Sequence, residues 1–177
     1  MNADAVRPYI EAAPFAVLAT RGPNGRLDTS PRGDRPGFVC VADAHTLLLP
    51  DRRGNQRIDS LRNIVHDPEM ALLFLIPGVG EALRVNGRAR ISASPTLRAA
   101  FAVGDAEPDS VLVIRVASVF FQCARAIKRS RLGDPAAHIE RSALPSPGYI
   151  LQWLSQRAID GSAYDAALQE RQAATLY

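Results

Sequence analysis

Residues 15–49 read FAVLATRGPNGRLDTSPRGDRPGFVCVADAHTLLL, and their alternation of short apolar runs with turn residues decides the fold. Phe15–Thr20 is an apolar run of strand length, Gly22-Pro-Asn-Gly25 is a turn signal, and Arg26–Ser30 is extended, which together make a β-hairpin. Gly33–Gly37 is a loop. Phe38–Ala42 and Thr46–Leu49 then flank Asp43-Ala-His45 as a second hairpin. Upstream, Asp4–Ala13 is predicted as a short helix, with Pro8 near its first turn and Pro14 ending it. Downstream, Pro50–Gln56 is a polar, basic loop. Ile58, Leu61, Ile64 and Val65 after it share one helix face, with Asn55 as N-cap and Pro68 past the end.

Met70–Ile76 reads as a buried strand, Pro77–Gly80 as a turn and Glu81–Ser92 as a long strand. Ser94 and Pro95 open a helix through Phe101 as N-cap and first helical residue. Val111–Ala126 is the last long extended stretch. Strands joined mainly by hairpins, with a helix in the 49–70 crossover, predict a mostly β protein with flanking helices, an antiparallel barrel. A doubly wound sheet would need repeated strand–helix alternation. Pro145–Gly148 marks a boundary. The expected domains are residues 1–144, the barrel, and 145–177, a helical appendage with helices at Tyr149–Ile159 and Tyr164–Ala174.

The 177 residues carry 21 basic and 18 acidic side chains, a net charge of +3. That is too mild for a general nucleic-acid coat, so no nucleic-acid partner is expected. Lys128 is the only lysine; the other cations are arginines, whose planar fork suits phosphates and carboxylates. Cys40 and Cys123 stand far apart without a CxxC, which excludes a disulfide-stapled domain and argues against a zinc module. His45, His66 and His138 are isolated, so no metal site is expected. No apolar run reaches the roughly 20 residues of a membrane span. Met1–Ile10 has no apolar core of a signal peptide, and the expectation is a cytoplasmic protein with no membrane partner.

The densest chemical signal is DRRGNQRIDSLRN at 51–63, between a strand and a helix. Arg52, Arg53, Arg57 and Arg62 supply cations, and Gly54 lets a ligand approach the backbone. Asn55 and Ser60 add neutral hydrogen-bonding groups. With the free N–H groups of a helix start, this set matches one phosphate monoester. It equally fits a solvated helix start with Asp51 and Asp59 paired to the arginines. A second signal is Thr29-Ser-Pro-Arg-Gly33. Thr29, Ser30 and strand N–H groups would meet the polar edge of a flat ligand, and Arg32 would stabilise a reduced, anionic flavin. An ordinary strand exit fits it too. The third is FFQCARAIKRS at 120–130, where Gln122 would read a heteroaromatic edge with a donor and an acceptor. Core packing of the Phe pair and a solvated basic face fit the same run. GxSxG, HExxH and kinase motifs are missing, so the reactivity would come from a cofactor.

The runs FAVLATRGPNGRLDTSPRGD, FVCVADAHTLLLPDRRGNQRIDSLRNIVHDPEMALLFLIPG and LRVNGRARIS, with FFQCARAIKRSRL and YDAALQERQAATLY, resemble the pyridoxamine 5′-phosphate oxidase-like family. They look most similar to its bacterial branch of FMN-binding, oxidase-related proteins. The resemblance implies a split β-barrel homodimer with two FMN molecules at the dimer interface. Ser30, Pro31 and Arg32 would lie along the isoalloxazine. Arg53, Asn55, Arg57 and Ser60 would surround the phosphate. Arg84 would approach from the partner chain, and Gln122 would line the ring pocket. The implied function is an FMN-dependent oxidoreductase passing electrons from a small hydride donor to a small acceptor; the alternative is a non-catalytic FMN carrier or sensor.

One departure from that pattern concerns the phosphate loop and a second the substrate. The vitamin B6 oxidases have a compact Ser-Arg-Lys phosphate loop, whereas the cations here spread over Arg52–Arg57. Those oxidases also end in a barrel segment with a Trp and an arginine clamp. This chain ends in Tyr164–Tyr177 with Trp153 as its only Trp, which argues against pyridoxamine phosphate as substrate. In the oxidase-related branch a Trp commonly follows SRL; Gly133 stands there instead.

Overall fold

The computed structural model describes residues 3–54 and 57–177. The chain divides into two compact units, Met1–Gly133 and Asp134–Tyr177. The first unit runs α1 (Ala3–Ala12), β1 (Phe15–Arg21), β2 (Leu27–Gly33), β3 (Cys40–Asp43), β4 (Thr46–Asp51), α2 (Asp59–His66), β5 (Glu69–Leu75), β6 (Ala82–Ser92), α3 (Pro95–Ala100), β7 (Ser110–Gln122) and α4 (Arg125–Ser130). Its strands form one antiparallel sheet in the order β2-β1-β5-β6-β7-β4-β3. This is a split antiparallel β-barrel: β2 and β3 are the two edges, and they are not paired with each other.

Chain length forces the sheet to curl. Six interstrand spacings would hold β2 and β3 about 29 Å apart in a flat sheet. The 34–39 connection between them reaches at most about 25 Å when fully extended. Side chains then tie the two sides of the split. Arg32, near the end of β2, donates from Nη1 to Asp51 Oδ1 at the end of β4 (2.7 Å). Arg52, the next residue, donates from Nε to Asp34 Oδ2 just past β2 (2.6 Å) and from Nη1 to the Phe101 carbonyl (2.7 Å).

The core follows the two-residue period of strands. Ala16, Leu18 and Thr20 of β1, Leu47 and Leu49 of β4, Met70, Leu72 and Phe74 of β5, and Leu112 and Ile114 of β7 all point inward and are buried. Ile10 of α1 joins them, and Arg7 holds that helix against β3 through the Val41 carbonyl (3.2 Å). A register shift at Asn86/Gly87 re-aims the β6–β7 pair. A Cβ on Gly87 would lie against the Arg115 carbonyl, so glycine is required at that crossing. The β1–β2 turn uses Asn24 (φ 61°) and Gly25 (φ 73°), residue types that tolerate the left-handed region.

Several sequence expectations are corrected. Helix α2 begins at Asp59, so its cap position falls on Ile58 rather than Asn55; Asn55 lies outside the described residues. Ile58 sits at φ 51° and has no side chain able to cap. Ile58 and Val65 are exposed, and the buried side of α2 is Ser60 and Ile64, with Leu61 packed on the core. Ser94 precedes α3 without a side-chain capping bond. Strand β3 starts at Cys40, because Phe38 and Val39 are buried in a bend. The last strand stops at Gln122, and the Ala- and Arg-containing segment after it turns helical, in keeping with its helix propensity.

The second unit holds α5 (Pro147–Leu154), α6 (Gly161–Ala166) and α7 (Leu168–Ala174). Ser146 caps α5 by accepting from the Tyr149 N–H (3.1 Å), and Asp160 caps α6 by accepting from Ser162 and Ala163. Gly148 and Gly161 let α5 and α6 touch through their backbones. Asp165 accepts from the Gly148 N–H (2.7 Å) and Gln152 from the Gly161 N–H (3.3 Å).

Candidate functional site

The free edge of β2 and the basic loop after β4 form one continuous feature. Pairing with β1 sets Asp28, Ser30 and Arg32 opposite Thr20, Leu18 and Ala16, so these three β2 side chains share the core-facing side. Both ends of the loop are fastened to that side. Asp51 is held by Arg32, and Ser60 on α2 donates from Oγ to Asp28 Oδ2 (3.3 Å). The fastenings are four residues apart on β2, about 13 Å along the strand. Ser30 lies between them, on an edge strand whose outer backbone groups are unpaired in the sheet.

Helix α2 is anchored at two more points. Asn63 Nδ2 donates to the buried Thr20 Oγ1 (3.0 Å), and Arg21 Nε donates to Asp67 Oδ2 (2.6 Å). Asp67 also accepts from the Glu69 N–H (3.1 Å). That backbone hydrogen bond, then Arg21, holds the Asp67 carboxyl below the usual carboxylate range.

The loop cations differ in state. Arg57 donates to Asp59 (2.8 Å) and is largely exposed. Arg52 is committed to Asp34 and Phe101. Arg53 and Arg62 are exposed, and no salt bridge engages either among the described residues. A Cβ on Gly54 would meet only open space. The pairing of acids with loop arginines therefore holds for Asp59, while Asp51 pairs across the split with Arg32.

A second group lies on the outward face. Cross-strand register aligns Pro31, Val17, Leu73, Arg84 and Phe120 in one row across β2, β1, β5, β6 and β7. The Arg84 guanidinium stands over the Phe120 ring, 5.3 Å from its centroid. Gln122, two residues on, is exposed beside them. The Ser-Pro-Arg triplet thus splits between faces, Ser30 and Arg32 on the core side and Pro31 on the outward side, as the strand period requires. Two strands separate β2 from β6, which puts Arg84 about 14 Å away from β2 along the sheet. Within one chain, Ser30, Arg32 and Ser60 lie at the β2 edge, Arg53 and Arg57 belong to the segment whose two ends are tied to it, and Arg84 and Gln122 form a separate group.

A family model for pyridoxamine 5′-phosphate oxidase matches residues 3–123, the whole sheet and the basic loop. The chain belongs to the pyridoxamine 5′-phosphate oxidase family. Among solved structures it is similar to HupZ of Group A Streptococcus, at 21% identity and TM-score 0.55, over 68% of this chain and 94% of that one. It is also similar to a general stress protein 26 relative from Clostridium acetobutylicum, at 12% identity and TM-score 0.51, over 67% and 85% of the two chains. General stress protein 26 from Bacillus anthracis matches at 17% identity and TM-score 0.50, over 67% and 92%. At these identities the likeness shows the fold. No curated protein matches the chain.

Against this family background, Asp28, Asp34 and Asp51 are the site residues that sequence reasoning missed as contributors on or beside the β2 edge. Their partners are distant in sequence, and only the period of β2 signalled that Asp28, Ser30 and Arg32 share a side. Among the described residues no group of three or more His, Cys, Asp or Glu side chains is placed to hold a metal, and no helix is long and apolar enough to cross a membrane.

Proposed function

We propose that this chain is an FMN-binding oxidoreductase acting as a homodimer. The tying of Asp51 and Ser60 to the β2 edge supports this reading, because the segment between them carries Arg53 and Arg57, and the edge itself offers Ser30, Arg32 and strand N–H groups unpaired in the sheet. That donor set suits a phosphate at one end and the carbonyl and nitrogen edge of a flat ring at the other. Arg53 and Arg57 bind the phosphate, with Asn55 of the same loop, and Ser30, Pro31 and Arg32 orient the ring. When bound, FMN supplies hydride acceptance and electron delivery.

The dimer completes the arrangement. Val17, Ala19, Ala71 and Leu73 on the outward face are only half-buried, and Phe15 and Phe120 are more exposed still. An apolar sheet face of this kind supports association with a second copy, which would bring the partner's outward group, with its own arginine and glutamine, to the β2 edge. A small-molecule hydride donor and a small acceptor react there in turn, with protons from solvent. Two free cysteines suit a reducing, cytoplasmic setting.

The purified protein is expected to be yellow, with absorption bands near roughly 375 and 450 nm. Colourless protein that takes up no added FMN overturns the reading. Stopped-flow mixing of the FMN complex with NADH and with NADPH separates enzyme from carrier; no reduction by either favours a non-catalytic FMN carrier or sensor.

A further inference from the structure

The second unit holds an open cleft of about 420 Å³, lined by Tyr149, Gln152, Trp153, Gln156 and Arg157. Tyr149, Gln152 and Trp153 stand at i, i+3 and i+4 on α5, so they share one helix face. Gln156 and Arg157 follow just after the helix end. The volume is that of a small-molecule site, and so is the lining: aromatic walls with a few polar groups.

The turn that brings the last two residues to the cleft is strained. Gln156 (φ 53°) and Arg157 (φ 70°) both adopt the left-handed region. A helix end commonly gives that conformation to a single glycine. Here two consecutive residues with long side chains take it. The Gln156 N–H donates to the Trp153 carbonyl (3.1 Å) and the Arg157 N–H to the Gln152 carbonyl (2.7 Å), which pins the turn. Glycine would make the same turn at lower cost, but would leave the cleft without its second amide or its cation.

Charge narrows the ligand. The unit Asp134–Tyr177 carries five carboxylate side chains and three arginines. Arg141 donates to the Leu144 and Pro145 carbonyls, and Arg171 lies over the Tyr164 ring, 4.2 Å from its centroid. The Arg157 guanidinium has no hydrogen bond or salt bridge among the described residues, and no acid lines the cleft. One guanidinium fork matches one carboxylate. A phosphate dianion would meet a single cation in a unit with surplus negative charge. Gln152 Oε1 accepts from the Gly161 N–H (3.3 Å), which leaves its NH2 group as a donor, and Gln156 offers a donor and an acceptor.

We propose that this cleft binds a small planar aromatic carboxylate. The ring packs on Tyr149 and Trp153, the carboxylate pairs with Arg157, and the Gln152 and Gln156 amides meet heteroatoms of the ring. The proposal is independent of the FMN reading, since every residue in it belongs to the second unit.

Trp153 is the only tryptophan in the chain, so its emission reports on this cleft alone. The test titrates the full-length protein with nicotinate, and with nicotinamide as an uncharged counterpart on the same ring. Nicotinate is expected to change the Trp153 emission saturably, and nicotinamide to bind about tenfold more weakly, for want of the charged pair with Arg157. Arg157→Gly keeps the left-handed turn, and is expected to lose about tenfold in nicotinate affinity with no fall in melting temperature. Equal affinity for the two compounds, a response that does not saturate, or unaltered nicotinate affinity in Arg157→Gly overturns the proposal. So does Trp153 emission that is already that of a buried indole and varies with protein concentration, since a second copy would then cover this face of α5.

Discussion

Ile58 adopts φ 51°, in a region that costs a side chain such as isoleucine about 1–2 kcal/mol. It is 48% exposed, so burial does not offset that cost in full. Ile58→Asn, which tolerates this conformation, is expected to raise the melting temperature by about 2–4 °C, followed by circular dichroism. Thr20 makes the opposite case. It is buried and accepts from Asn63, so Thr20→Val should cost about 1–2 kcal/mol in denaturant unfolding. Arg53→Ala should weaken FMN binding by about 1.5–3 kcal/mol by titration calorimetry, the loss of a charged hydrogen bond. Arg57→Ala should weaken it less, because Arg57 already donates to Asp59.

Helix α2 is held to the β1–β2 hairpin by Ser60, Asn63 and Asp67, and the last of these makes the attachment sensitive to acid. Asp67 titrates below its unfolded value of about 3.9. A depressed carboxyl contributes stability that is full above the unfolded value and lost as pH falls through the folded one. Asp67→Asn should therefore flatten the loss of stability below about pH 4 while lowering stability at neutral pH. The strands themselves were legible because alternation and Gly-Pro-Asn-Gly-type turns act locally. The start of α2 was not, since Ile58 carries no capping side chain. The end of β7 was obscured because Phe120-Phe121-Gln122 runs into a helix without a glycine or proline between them. The ion pairs across the split escaped sequence reading altogether: Arg32 looked like a ligand group, and nothing near it in sequence named Asp51.

At the scale of the molecule, all residues of the apolar core lie in the first unit, between Ile10 and Ile114. A chain ending at Gly133 should keep a cooperative thermal transition and near-ultraviolet dichroism. In the second unit the only buried residues are Gly148 and Gly161, so an isolated 134–177 peptide should show little helix, having no apolar core of its own. The family, the barrel and the basic loop were readable from the sequence. How the two ends of the loop are tied to β2, and which of its arginines are already paired, needed the curvature of the whole sheet.

The split in that sheet is spanned by side chains rather than by a backbone ladder. Strand pairing relies on backbone groups that every residue but proline carries, so few single substitutions redraw it. A closure made by Arg32, Asp34, Asp51 and Arg52 can be redrawn one codon at a time. The gap beside the β2 edge is thus the part of the barrel where descendants of this chain can most cheaply diverge, changing its width and charge while the rest of the sheet is inherited intact.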